Sequence, residues 1–226
     1  MRPVRVGLCS ALGRIARDGH NAGVHEVIDS PLRRPTHLLA RVLTEVFAPA
    51  LLAAVMPIVV AVHSTSPVSV GLSWALVGAL FCSIIPNALI WWGVRRGRLT
   101  DHHIRVREQR RTPLMYGLLS VLVGLTLMVS LDAPQPVTAM VVVMFGIGLA
   151  VTATNLAWKL SIHAAVAAGS AAVLIIEFGA ALLASLLVVA LVGWSRVRLH
   201  EHTPAQVIAG ATLGTIVAIP AFLLLS

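Results

Sequence analysis

Charge is scarce in this chain. Only 12% of its 226 residues are Asp, Glu, Lys or Arg, about half the roughly 25% of an ordinary soluble domain, so water is not its main solvent. Carboxylates are scarcer still, nine in all. No cluster of them is suited to hold magnesium or a diphosphate-bound metal, which removes a prenyl-transferring enzyme built on paired aspartate-rich motifs; no metal and no cofactor are expected. The two cysteines, Cys9 and Cys82, stand in no metal-ligand spacing and form no disulfide framework. Aromatic residues make up 5% and nowhere interleave with basic ones. The net charge of +8 and pI near 11.4 therefore do not point to nucleic acid. Residues Met1 to His20 contain only the short apolar run Val6–Leu12 and lack a secretory h-region, so the first true span is expected to direct insertion. There is no internal repeat and no low-complexity tract.

What the chain has is apolar length. Hydrophobic residues are 58% of it and the mean hydropathy is +0.89. Uncharged or nearly uncharged runs occur at about Val42–Val62, Val70–Val94, Leu114–Leu131, Val137–Trp158, His163–Phe178, Gly179–Trp194 and Ala205–Leu225, most of them near the ~20 residues that cross a bilayer as helix. The expected fold is all-α, a polytopic transmembrane bundle of about six to seven spans over residues 41–226, preceded by a basic cytoplasmic or interfacial segment at 1–40. Pro49, Pro57, Pro86 and Pro220 fall inside these runs, as membrane helices tolerate. As one helix, His163–Trp194 would extend about 48 Å at ~1.5 Å per residue, well beyond a hydrocarbon core of ~30 Å. A hairpin broken near Phe178–Gly179 is expected instead, which sets Glu177 at a membrane surface.

The polar segments then sort onto two sides. One holds residues 1–41, 95–113, the surroundings of Lys159 and 195–204; the other holds 63–69, 132–136 and the turn near Gly179. All 17 Lys and Arg residues fall on the first side, which the positive-inside rule makes cytoplasmic. Trp91, Trp92, Trp158 and Trp194 share that rim and read as an interfacial belt.

Three polar islands on this side carry chemistry. In Trp194–Gln206 one helix ends and another begins, with Thr203 and Pro204 as cap and first turn; the amides of that start, with Arg196 and Arg198, suit a phosphate. In Lys159–His163, Ser161 can cap the helix that starts beside His163, so two helix starts are expected to face one cavity. The third island, Arg95 to Pro113, holds Asp101, His102, His103, Arg105, Arg107, Arg110 and Arg111. Orientation alone accounts for an arginine-rich cytoplasmic loop.

Ser195-Arg196, five residues, His202, three residues and Gln206 together resemble the third signature of the type 2 phosphatidic acid phosphatase superfamily, Ser-Arg-x5-His-x3-Asp. Ser161-Ile162-His163 is similar to its second, Pro-Ser-Gly-His, with Leu160 and Ile162 replacing proline and glycine. The first, Lys-x6-Arg-Pro, is matched loosely by Arg105 to Pro113, and a bacterial branch with an Asp-x-His start is matched better by Asp101, His103, Arg107, Arg110 and Pro113. The resemblance spans about residues 90 to 215 and lies in order and spacing together. It implies a metal-independent lipid-phosphate phosphatase of a bacterial inner membrane. His202 would be the nucleophile that becomes a phosphohistidine, and His163 the acid for the leaving lipid oxygen. Arg196, Ser161, Ser195, Lys159 and Arg105 or Arg110 would lie around the phosphate. Gln206 stands where the family has the aspartate that orients the histidine, so either Glu201 or Asp101 supplies the missing charge or the enzyme is intrinsically slow. The implied substrate is a phosphatidate, phosphatidylglycerophosphate or polyprenyl phosphate or diphosphate.

Two other readings stay open: a degenerate member that binds lipid phosphate without turnover, and a small transporter, although the latter would be expected to place ionisable groups near mid-membrane. The orientation has a direct check. In intact cells an impermeant thiol reagent should label Ser66→Cys and not Thr100→Cys; the opposite pattern would place the basic side outside.

Overall fold

The structure is a computed structural model and describes residues 33–97 and 111–226. The chain divides into two compact units, Met1–Leu39 and Ala40–Ser226, and the second forms the bundle. In chain order the helices are α1 (Arg33–Val46), α2 (Pro49–Ser64), α3 (Val68–Ala79), α4 (Ile85–Arg95), α5 (Arg111–Ser130), α6 (Gln135–Ala157), α7 (Ile162–Phe178), α8 (Ser185–Arg198) and α9 (Pro204–Leu225). A π-helical turn, Leu80–Ile84, joins α3 to α4, and a 3-10 segment, Gly179–Ala184, joins α7 to α8.

Among the described residues five helical stretches are long and apolar enough to cross a membrane: Val68–Arg95, Arg111–Ser130, Gln135–Ala157, Ile162–Arg198 and Pro204–Leu225. A sixth arises if the bent pair Pro35–Val46 and Pro49–Ser64 is one span. The protein is thus an all-helical, polytopic integral membrane protein. The higher sequence count of six to seven treats His163–Phe178 and Gly179–Trp194 as separate segments. They lie in one stretch here, and that stretch doubles back: its two ends, His163 and Arg196, line the same cavity. Gly179 makes the reversal possible with φ +77°, a conformation that L side chains seldom adopt. Val42–Val62, read in sequence as one span, is broken after Val46 with a bend of 49°. The cause is local, since Pro49 begins α2 and disfavours helical backbone in the residue before it.

The prolines are used in different ways. Pro49 sits in a first turn, where no N–H is needed, whereas Pro57 and Pro220 lie inside helices and Pro86 comes just after the π turn within the continuous stretch Val68–Arg95. Before Pro86 the π turn widens the helix, and the Ser120 hydroxyl of α5 donates to the Phe81 carbonyl at 2.8 Å, satisfying an oxygen that lipid could not.

α7 runs through the middle of the bundle, with residues 163–173 all buried. Its small side chains are the reason. In lipid, hydrophobicity does not drive helices together, and close van der Waals contact takes its place. Gly210 and Gly214 of α9 form a small-x3-small stripe against α7. A Cβ at Gly210 would lie 2.5 Å from the Ser161 carbonyl oxygen, and one at Gly214 would overlap the Ala165 carbonyl. Around this seam pack Met140, Val143, Ile147 and Val151 of α6, Val60 of α2, and Ala218 and Phe222 of α9. The outward faces are apolar as well, as at Leu76, Leu187, Ile208 and Ile216, which suits a hydrocarbon surround.

The seam can be tested by volume. Gly214→Ala should lower the melting of the detergent-purified chain by about 1–3 kcal/mol of overpacking or more, because backbone must move. Gly117→Ala, whose new methyl would meet Pro86 at 3.9 Å, should be close to neutral. Equal melting of the two variants would show that the α7–α9 approach is not limiting.

Candidate active site

A cavity of about 480 Å³ opens where the helix ends gather. Its lining draws on Glu45 at the end of α1, Trp91 of α4, Leu114 of α5, Asn155 of α6, His163 of α7, Arg196 of α8 and His202 before α9. All these ends therefore share one side of the bundle. The opposite end is marked by the ring contact of His63 with Phe178, centroids 4.2 Å apart. Of the polar segments expected on the basic side, those next to Asn155, His163, Arg196 and His202 thus gather at one end of the bundle, while residues 1–32 and 98–110 lie outside the described residues. Trp91, Trp92, Trp158 and Trp194 are each more than a third exposed, and Arg96 lies over the Trp92 ring at 5.1 Å.

Arg196 and His202 are held by two helix ends set back to back. α8 finishes in a Schellman turn: His200 N–H donates to the Val197 carbonyl (3.0 Å) and Glu201 N–H to the Arg196 carbonyl (3.1 Å). His202 N–H reaches the same Arg196 oxygen at 3.3 Å. α9 then starts with a capping box, in which Thr203 Oγ1 accepts from Gln206 N–H at 3.3 Å and Gln206 Oε1 accepts from Thr203 N–H at 3.1 Å. The same Gln206 Oε1 lies 3.2 Å from His202 Nδ1. An amide oxygen only accepts, so in the neutral imidazole the proton sits on Nδ1 and Nε2 is the unprotonated nitrogen.

The second island docks beside the first. Ser161 caps α7, its Oγ accepting from Ala164 N–H at 3.4 Å, and its own N–H donates to the Gln206 carbonyl at 3.3 Å. Two helix starts, each with a positive dipole end, are thereby fixed side by side. The linker before Ser161 is steadied by Asn155, whose Oδ1 accepts from Leu160 N–H at 3.4 Å.

His163, more than thirty residues away in sequence, lines the cavity with Arg196 and His202, and all three are buried. Ser161 and Ser195 are fully buried but do not line it; they act on backbone and neighbours, Ser195 Oγ donating to the Val192 carbonyl at 2.7 Å. Lys159 is half-buried in the α6–α7 linker, outside the lining. Glu201, expected to assist His202, makes an ion pair with Arg196. Asp101, Arg105 and Arg110, with the other residues of the third island from 98 to 110, lie outside the described residues. Among the described residues no group of three or more His, Cys, Asp or Glu is placed to hold a metal ion.

Sequence reasoning missed Thr44 and Glu45. Thr44 Oγ1 is buried, 3.1 Å from Ser195 Oγ, and accepts from Arg196 Nη1 at 3.5 Å. Glu45 lines the cavity. A signal existed: Glu45 is the one charged residue in the apolar run Val42–Val62, and such a residue is a functional candidate by default.

His200 has φ +55°, a left-handed position that costs an L residue about 1–2 kcal/mol. His200→Gly should therefore keep or raise stability, while His200→Val should lose about 1–2 kcal/mol in detergent melting, since β-branched residues tolerate this region least. Equal stability of the two would mean that the turn is free to change shape.

Comparison of the chain with protein-family models, with curated proteins and with solved structures finds no match in any of the three.

Proposed function

We propose that this protein is a membrane phosphatase that hydrolyses a phosphomonoester or diphosphate on a lipid. The observation that carries this reading is the cavity itself, which brings His163, Arg196 and His202 to one polar end while its other walls, including Ala53, Ile90, Leu118, Val121 and Val151, are apolar. A headgroup fits the first part and a hydrocarbon tail the second.

The chemistry follows from the groups. His202 Nε2 attacks phosphorus in line, the N–P bond forms as the P–O bond to the lipid breaks, and His163 gives its proton to the departing lipid oxygen. Water then attacks the phosphohistidine, passing a proton to His163 and releasing inorganic phosphate and free His202. Arg196 holds equatorial oxygens whose charge must be stabilised throughout. Gln206 fixes the tautomer that His202 needs, although it adds no negative charge beside the imidazolium. That last point favours a second reading, a lipid-phosphate binder with little or no turnover. On the first reading the working side is the basic one, hence cytoplasmic.

Phosphate release from a panel of purified lipid phosphates, with a metal chelator present, separates these readings. The parent chain should hydrolyse at least one lipid, His202→Ala and His163→Ala should lose nearly all turnover, and Arg196→Ala should lose about 100- to 1000-fold. Retention of more than about a tenth of the activity in His202→Ala would rule out the phosphohistidine step. Tight lipid-phosphate binding without release by the parent would support the binder.

A further inference from the structure

Arg196 already holds an anion. Its Nη2 donates to the Glu201 carboxylate, and the two side chains are only 3% and 13% exposed. The pair is built in rather than incidental. The Schellman turn that ends α8 places Glu201 N–H on the Arg196 carbonyl at 3.1 Å, so backbone and side chain of the two residues meet twice. Thr44 takes Nη1 of the same guanidinium from α1, leaving the fork facing a carboxylate on one side and a hydroxyl on the other.

A membrane interface is crowded with singly charged phosphodiester headgroups. A bare, buried guanidinium at a cavity open to such a surface would collect them, because arginine binds phosphate oxygens bidentately whatever lies beyond. We infer that Glu201 is a specificity residue, an internal competitor for Arg196 that a ligand must outbid. A phosphodiester brings one negative charge, no more than the carboxylate it would displace. A phosphomonoester brings close to two at neutral pH, with three terminal oxygens. The competitor weakens every anion by one factor and so filters by a threshold: the doubly charged monoesters and diphosphates, bound more tightly to begin with, still occupy Arg196, and the singly charged phosphodiester lipids that surround the protein do not. This rests on the reading of Arg196 as the group that holds phosphate, and it adds which phosphates are admitted.

The test measures binding apart from turnover. The full chain in nanodiscs is titrated with inorganic phosphate and with dimethyl phosphate, followed by ³¹P NMR, and the same titration is repeated with phosphatidylglycerol in the nanodisc as competitor. Arg196→Ala sets the background. Glu201→Gln should bind dimethyl phosphate about tenfold more tightly than the parent, the size of one charge-assisted hydrogen bond. It should gain by a similar factor for inorganic phosphate, whose binding should become sensitive to phosphatidylglycerol where the parent's is not. Glu201→Asp keeps the charge and should keep the selectivity of the parent, which guards against a fold defect in the amide variant. Weaker binding of both anions by a folded Glu201→Gln would make Glu201 a brace for Arg196 and overturn the proposal. So would unchanged affinities, or inorganic phosphate binding no weaker in Arg196→Ala than in the parent. Phosphate release is assayed on the same preparations. Intact selectivity without hydrolysis would remove the phosphatase and leave the filter standing; hydrolysis without a selectivity change would do the reverse.

Discussion

The arrangement depends on how closely α7 and α9 approach each other. Two carbonyls of α7, those of Ser161 and Ala165, occupy the space where Gly210 and Gly214 have no side chain. Because lipid offers no hydrophobic drive between helices, this backbone contact and the van der Waals packing around it hold the pair. Its consequence is chemical. With the helices seated at that depth, Ser161 N–H meets the Gln206 carbonyl, so the starts of α7 and α9 cannot slide past each other, and His163 and His202 come to one cavity.

The spacing of the polar island has a structural reason in the same place. Five residues separate Arg196 from His202 because that is the length needed to end one helix in a Schellman turn and reach the cap of the next. The Arg196 carbonyl receives the N–H groups of Glu201 and His202, which binds the histidine's backbone to that of the arginine. Three residues separate His202 from Gln206 because Gln206 is the third helical residue of α9, the position from which a side chain can reach back over its own helix start. Its oxygen serves Thr203 N–H and lies on the imidazole in one placement.

Much of this was legible because hydropathy and caps are local properties. The apolar runs, the reversal at Gly179, and the caps Ser161 and Thr203 follow from residues close together in sequence. The break before Pro49 was not, since Phe47 and Ala48 continue an apolar run and give no polar mark where the helix bends. Thr44 was hidden for a different reason: its partners Ser195 and Arg196 lie 151 and 152 residues away, and only the folded chain brings these side chains together. Glu201 illustrates the limit most directly. Sequence distance placed its charge next to His202, but the turn's geometry sends the carboxylate to Arg196.

That pairing also bears on why Gln206 is an amide. Burying charge in a low-dielectric site is costly unless each charge is matched. With Glu201 on Arg196, and a neutral imidazole held by a neutral amide, the two pairs carry little net charge before a ligand enters. A carboxylate at position 206 would add an uncompensated negative charge at the end of the cavity where Glu45 also stands. On the phosphatase reading, such a carboxylate would help the imidazolium that forms during the reaction and oppose the anion that must first bind. On that reading Gln206 settles the opposition in favour of binding, while its oxygen still selects the tautomer protonated on Nδ1.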